Sequence, residues 1–218
     1  MPSINCWDNR KYEFTVEQTA LLVIDMQFDF LSPYGRIAMT RGGQSPLSHI
    51  ESDVLIVLNT ARKCGMTVIH TREGYAPDRS DVNNLKRSMG YVGLEGANGP
   101  MLIRGTKGHN FLDAFTPLEG EYVIDKPGFS AFYGTTLDTL LRDKGVTHLI
   151  IMGITTQCCV HSTLRSATDR GYFCLTLEDC CAAIEQEVHD CTMRIIQAEQ
   201  HLFGWISGAS EFVKAVSD

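Results

Sequence analysis

The sequence predicts an α/β fold built on one parallel sheet with helices on both faces. Three observations predict it. Six short β-rich runs are apolar almost throughout rather than alternating, the pattern of strands buried on both sides. Stretches with helical spacing lie between them, as crossovers between parallel strands require. The length, 218 residues, suits a single domain spanning 1–218.

The elements follow in order. "ALLVID" (20–25) reads as a buried strand, and "DVLIVLNTARKCG" (53–65) has helical spacing and a stop glycine. "MTVIHT" (66–71) is the next strand. Residues 74–118 are rich in Gly, Asn, Pro and charge and read as loops. "EYVIDK" (121–126) is a strand, and "GTTLDTLLRDKG" (134–145) a helix with threonines before it and Gly145 after it. "THLIIMG" (147–153) is a strand, followed by a helix to about Arg170 and Gly171. "YFCLTLED" (172–179) is a strand, "EQEVHDCTMRIIQAEQ" (185–200) a helix, and "LFGWIS" (202–207) a last short strand before a terminal helix. No internal repeat or low-complexity tract interrupts this order.

Composition excludes some partners. Hydrophobic residues make up 44% and charged residues 21%, an ordinary globular balance. No apolar run approaches the roughly 20 residues that cross a bilayer, and the first residues lack the pattern of a secretory signal. A formal net charge of −7 disfavours nucleic acid as partner. The eight cysteines include no C-x-x-C pair, and a chain this long can build a core without disulfides. The expectation is a cytoplasmic protein with reduced, mostly buried thiols.

Active sites of parallel sheets lie at the carboxyl ends of strands. Three chemically capable positions fall there: Asp25, Lys126, and the cysteines after Gly153. A thiolate in the first turn of a helix gains from unpaired N–H groups and the macrodipole, so Cys158 and Cys159 are both candidates, although free cysteine is as often a small buried hydrophobe. Asp25 could equally be a loop carboxylate and Lys126 a solvated lysine. Together they supply a nucleophile, a carboxylate base and a cation, the set that activates a thiol. A Cys–His pair is the alternative: His161 falls on a different helix face from Cys159, but His70, His109, His148, His189 and His201 stay open.

"ALLVIDMQFDF", "VIDKPGFSAF" and "GITTQCCVHSTLRSATDRGY", in this order and spacing, resemble the three catalytic segments of the isochorismatase-like cysteine hydrolases. The resemblance implies a three-layer α/β/α sandwich with a six-stranded, mainly parallel sheet, commonly oligomeric as a dimer or tetramer. It implies that Asp25, Lys126 and Cys159 are catalytic, because the family's nucleophile directly precedes a valine, here Val160; Cys158 is then a packing residue. It also implies a cis peptide at Ile154–Thr155, with backbone N–H groups near Thr155 and Cys159 aimed at an oxyanion. Asp25 would take the thiol proton, and Lys126 would favour the charged forms so that the sulfur is held as an anion. No metal or organic cofactor is required.

Within the family, nicotinamidase-like enzymes carry a metal set after the second strand, and Tyr75 stands where its first histidine belongs. Isochorismatase-type enzymes hydrolyse a vinyl ether without a cysteine. "HTREGYAPD", "VIDKPG", "GITT" and "DRGYFCLTLEDCCAA" look most like the biuret hydrolase and ureidoacrylate amidohydrolase branch, which implies a small-molecule amide substrate of ureido or carbamoyl type and release of ammonia. A catalytically idle binding member is a further alternative. Arg72 and Glu73 could reach the pocket or form a structural ion pair. Phe30, Tyr75, Phe129 and Phe132 could wall it, and Glu199 aligns with a substrate-contacting position of biuret hydrolase relatives. The segment 89–110 departs from that branch's pattern.

Overall fold

The computed structural model describes residues 1–217. Its core is a six-stranded sheet of β3 (Thr19–Ile24), β4 (Thr67–Glu73), β5 (Tyr122–Lys126), β6 (His148–Ile154), β7 (Phe173–Ala182) and β8 (Trp205–Ser207). A small antiparallel hairpin, β1 (Ser3–Asn5) and β2 (Lys11–Glu13), precedes it; three-residue strands are too short to leave a period in the sequence. The sheet order is β5-β4-β3-β6-β7-β8, and every pairing in it is parallel.

The helices are α1 (Phe28–Leu31), α2 (Arg36–Met39), α3 (Glu51–Lys63), α4 (Asn84–Met89), α5 (Leu137–Asp143), α6 (His161–Thr168), α7 (Gln186–His201) and α8 (Ala209–Ser217). β3 shows why the strands are apolar throughout. Its Leu21 and Val23 pack with Val54, Val57 and Leu58 of α3 and Phe212 of α8 on one face. Its Ala20, Leu22 and Ile24 pack with Leu137 and Leu141 of α5, Leu164 of α6, and Met193 and Ile196 of α7 on the other. Successive side chains point to opposite faces, so a strand sandwiched between two helical layers has no solvent side. Burying each such Leu, Ile or Val is worth about 1.5–3 kcal/mol.

Three sequence expectations need correction. Residues 74–118 are not loop throughout, because α4 lies within them. Asn83 caps it by accepting from the Lys86 N–H at 2.9 Å, and Gly90, at φ 73°, closes it. The helix expected from residue 134 begins only at Leu137, whose N–H donates to Thr135 Oγ1 at 3.3 Å. α7 loses helical geometry at Ala198–Gln200, where Glu199 and Gln200 take φ of 53° and 64°.

β3 sits where the connections change direction. β4 and β5 lie on one side of it and β6, β7 and β8 on the other. Ligands of open α/β sheets bind at such a switch point, beyond the carboxyl ends of the strands. Close approach of β3 and β6 there depends on Gly153: its φ is 121°, and a Cβ would fall 2.1 Å from the Ile24 carbonyl oxygen.

Candidate active site

Four strand ends converge. Asp25 follows β3 directly, at φ 53°, a left-handed conformation that Asp tolerates better than most residues. Glu73 and Lys126 are register partners at the ends of β4 and β5. β6 ends at Ile154, whose peptide bond to Thr155 is cis, and then enters a wide π-type turn, Thr156–Val160, that carries Cys159 into α6. The turn is pinned from α7, where His189 Nδ1 lies 2.9 Å from Thr156 Oγ1.

Asp25 and Lys126 are wholly buried, with Lys126 Nζ 2.7 Å from Asp25 Oδ2. Lys126 also donates to the Gly128 carbonyl at 3.0 Å, the turn that Pro127 and Gly128 enforce. Asp25 Oδ1 accepts from Thr71 Oγ1 at 2.7 Å. Cys159 Sγ donates to Glu73 Oε2 at 3.6 Å, and one carboxylate oxygen each of Asp25 and Glu73 lies with the sulfur inside a 4.8 Å cluster. Three such groups could bind a cation, but the Lys126 ammonium, 2.7 Å from Asp25 and 4.0 Å from Glu73, already occupies that place.

The ionisation follows from burial and charge. Burial raises the Asp25 carboxyl, Lys126 pulls it down, and Glu73 adds to the rise; the outcome is a raised pKa. Burial disfavours the Lys126 ammonium, but attraction to Asp25, Cys159 and Glu73 more than offsets it, so the lysine stays charged. The adjoining Cys158 thiol and complete burial push the Cys159 thiol up, and Lys126 offsets only part. Burial thus favours the thiol form of Cys159 at rest, against the pull of Lys126 toward the anion.

Above this cluster opens a cavity of about 130 Å³, lined by Phe30, Glu73, Tyr91, Met101, Leu102, Phe129, Ile154, Thr155, Cys158 and Cys159. The volume resembles that of an engineered cavity, about 150 Å³, that holds one benzene, so it admits a small molecule. Tyr91 presents a buried hydroxyl with no hydrogen-bond partner.

Residues 19–211 match the isochorismatase domain. The chain belongs to the isochorismatase family. It is similar to ureidoacrylate amidohydrolase RutB of Cronobacter sakazakii, 30% identical over 212 residues that span 94% of this chain and 90% of that protein. It is also similar to the RutB of Pantoea ananatis, 31% identical over 211 residues, 93% of this chain and 84% of that one. A cysteine hydrolase from Pseudomonas syringae pv. phaseolicola shares the fold with a TM-score of 0.83 at 24% identity, covering 100% of this chain and 98% of that chain. N-carbamoylsarcosine amidase from Thermoplasma acidophilum gives a TM-score of 0.69 at 25% identity, covering 88% and 96%.

In this isochorismatase-family hydrolase, Asp25, Lys126 and Cys159 come together as the sequence expects, and Phe30, Glu73 and Phe129 reach the cavity wall. Four other candidates stay off the cavity wall. Arg72 turns away from the cavity, binds Asp125 through two hydrogen bonds of 2.7 and 3.0 Å, and stacks on Phe111. Tyr75 is fully buried behind Glu73 and donates to its Oε1 at 2.9 Å instead of facing the cavity. Phe132 packs in the core against Tyr172. Glu199, at the broken end of α7, is exposed and off the cavity. Cys158, expected only to pack, also lines the cavity.

The histidine alternatives find other partners: His70 pairs with Glu121, His109 lies 3.6 Å from Asp125, and His161 accepts from Arg165. None of the six weighed histidines lines the cavity. Sequence reasoning missed Lys86, which donates to Glu73 Oε1 at 2.6 Å, and missed Tyr91, Met101 and Leu102. The Asn83 cap followed three residues later by Lys86 was the one available signal for the helix that carries it.

Proposed function

We propose that the protein is a cysteine-dependent amidohydrolase that cleaves a C–N bond of a small, uncharged ureido or carbamoyl compound, biuret-like in size, and releases ammonia. The observation that carries this reading is the thiol of Cys159, set beside a buried carboxylate–ammonium pair at the floor of a small cavity. The similarity to ureidoacrylate amidohydrolases and to an N-carbamoylsarcosine amidase supports it.

Asp25 takes the Cys159 proton as the sulfur attacks the carbonyl carbon. Its raised affinity for protons suits it to hold that proton, and Lys126, charged throughout, offsets the negative charge on the sulfur. The N–H groups of Cys158 and Val160 already donate to the Thr155 carbonyl, at 3.0 and 3.2 Å. The oxyanion then falls to the remaining backbone donors at Thr155 and Cys159. On collapse the C–N bond breaks, Asp25 returns its proton to the leaving nitrogen, and ammonia departs from a thioester-type acyl- or carbamoyl-enzyme. Asp25 next takes a proton from water, whose hydroxide displaces the sulfur, and then returns that proton to Cys159 as the thiol is restored.

Among the described residues no cationic side chain lines the cavity. That favours an uncharged ureido compound over ureidoacrylate, whose carboxylate would be desolvated without a partner. It weighs equally against an isochorismatase-type reaction on an anionic vinyl ether. Tyr75, bound to Glu73, offers no nicotinamidase-type metal ligand. The test is ammonia release from biuret, ureidoacrylate, carbamoyl amino acids and nicotinamide, with and without chelator. Turnover of biuret or a carbamoyl compound, unchanged by chelator, is expected. Turnover confined to nicotinamide and abolished by chelator would overturn the reading.

A further inference from the structure

Glu73 stands outside the Asp25–Lys126–Cys159 set, yet it is the group that the resting thiol touches. Its two oxygens have different surroundings. Oε1 is fully engaged by Lys86 at 2.6 Å and the Tyr75 hydroxyl at 2.9 Å. Lys86 is itself sealed in, 3% exposed, with Nζ 3.4 Å from the centre of the Phe129 ring. Oε2 accepts a hydrogen bond from the S–H of Cys159 alone, at 3.6 Å, with the Lys126 ammonium 4.0 Å away. A thiol is a weak donor, so this oxygen keeps acceptor capacity, and it belongs to the one carboxylate on the cavity wall among the described residues.

We propose that Glu73 reads the N–H that a ureido substrate retains on the attacked carbonyl, and that this contact frees the Cys159 proton for transfer to Asp25. The inference rests on the ureido reading above. An N–H donor to a carboxylate forms a shorter and stronger hydrogen bond than an S–H, so the substrate displaces the thiol from Oε2. The other carboxylate within 4.8 Å of the sulfur is Asp25. The S–H bond breaks, an O–H bond forms on Asp25, and the sulfur pair is directed to the carbonyl carbon. Lys86 is a positioning residue: by holding Oε1 it keeps Oε2 on the cavity. A simple amide with carbon in place of the retained N–H leaves Oε2 unanswered and the thiol parked on Glu73.

The titratable groups facing Cys159 are Asp25, Glu73, Lys126, Cys158 and the phenols of Tyr75 and Tyr91, with Lys86 behind Glu73. Replacing Glu73 by glutamine removes one negative charge from this set. The variant should therefore have a more reactive sulfur and yet turn over ureido substrates more slowly, a combination that simple loss of packing does not give.

The experiment compares biuret with malonamide, which has CH2 in place of the central N–H. Sites built to bind such a donor discriminate strongly against its loss; the expected kcat/KM ratio is at least about 100-fold in the unsubstituted enzyme and within about tenfold in Glu73→Gln. In parallel, both proteins carry Cys158→Ala and are labelled with methyl methanethiosulfonate across pH. Cys159 labelling at pH 7 should be about tenfold faster in Glu73→Gln, the equivalent of one pH unit in its titration. If the lone glutamine leaves Lys86 too poorly paired to fold, Glu73→Gln/Lys86→Met removes both charges and is read on the biuret-to-malonamide ratio alone, since the net charge near Cys159 is then unchanged. An unchanged biuret-to-malonamide ratio, or unaccelerated labelling, overturns the proposal. Accelerated labelling in a protein that cleaves no ureido compound overturns the ureido reading and the N–H assignment with it, while leaving the Glu73–thiol contact standing.

Discussion

Lys126→Met isolates the buried ion pair. Lys126 and Asp25 are both 0% exposed and 2.7 Å apart. Methionine is similar in length and apolar, so the substitution removes a charge while largely preserving volume. Breaking one side of a buried pair costs about 3–5 kcal/mol, because the other charge is left without compensation. For a chain of this size that corresponds to a drop in Tm of roughly 6–20 °C. The loss also depends on pH. Without Lys126, burial and Glu73 both raise the Asp25 carboxyl. A carboxyl whose folded pKa lies above its unfolded value contributes stability at low pH and loses it as pH rises through the folded value. The gap between wild type and variant should therefore narrow toward pH 5 and widen toward pH 8. Lys126 itself, with a raised pKa, adds pH dependence to the wild type only in the alkaline range above its ordinary value. Urea unfolding at pH 5 and pH 8 measures both effects. A loss below about 1 kcal/mol, or a gap that does not change with pH, would refute the reasoning.

Other consequences are open to direct measurement. Cys159→Ala should lower ammonia release by on the order of 10⁴-fold or more, since removing a nucleophile is among the largest single losses in enzymes; Cys158→Ala should keep turnover within about tenfold. Glu121 is half-buried, and burial alone would raise it, but hydrogen bonds from Arg62, the Leu118 N–H and His70 hold its carboxyl down at about 2. That stability is present above the ordinary carboxylate pKa and lost as pH falls toward 2, so Glu121→Gln should cost about 1–2 kcal/mol at pH 7 after allowance for partial solvent screening, and little at pH 2, by denaturant titration. Gly153→Ala should cost about 3 kcal/mol or more and sharply reduce soluble yield, because its Cβ would meet the Ile24 backbone at 2.1 Å.

The sheet was legible because burial on both faces leaves no polar positions in runs such as 20–24 and 149–154. The strand-end chemistry was legible for the same reason: a charged residue at the end of an apolar strand, as Asp25 and Lys126 are, or a thiol in the turn just beyond one, as Cys159 is, stands out against it. The cavity wall was not. Tyr91, Met101 and Leu102 come from a segment with no periodicity, and they form a cluster of their own with Tyr75 and Val82 that only tertiary packing creates. Arg72 and Glu73 adjoin on one strand and so point to opposite faces; alternation separates them, but it does not say which one meets the sulfur. Glu199, a candidate only through the family resemblance, lies exposed where three residues break the end of α7.

The account stands on a covalent bond to one sulfur. Rapid quenching of the Cys158→Ala protein during turnover of a ureido substrate, followed by fragment-level mass spectrometry, tests it most directly. An acyl or carbamoyl adduct on Cys159, formed and discharged at the rate of ammonia release, is predicted. Steady turnover with Cys159 unmodified throughout, or an adduct on another residue, would contradict it.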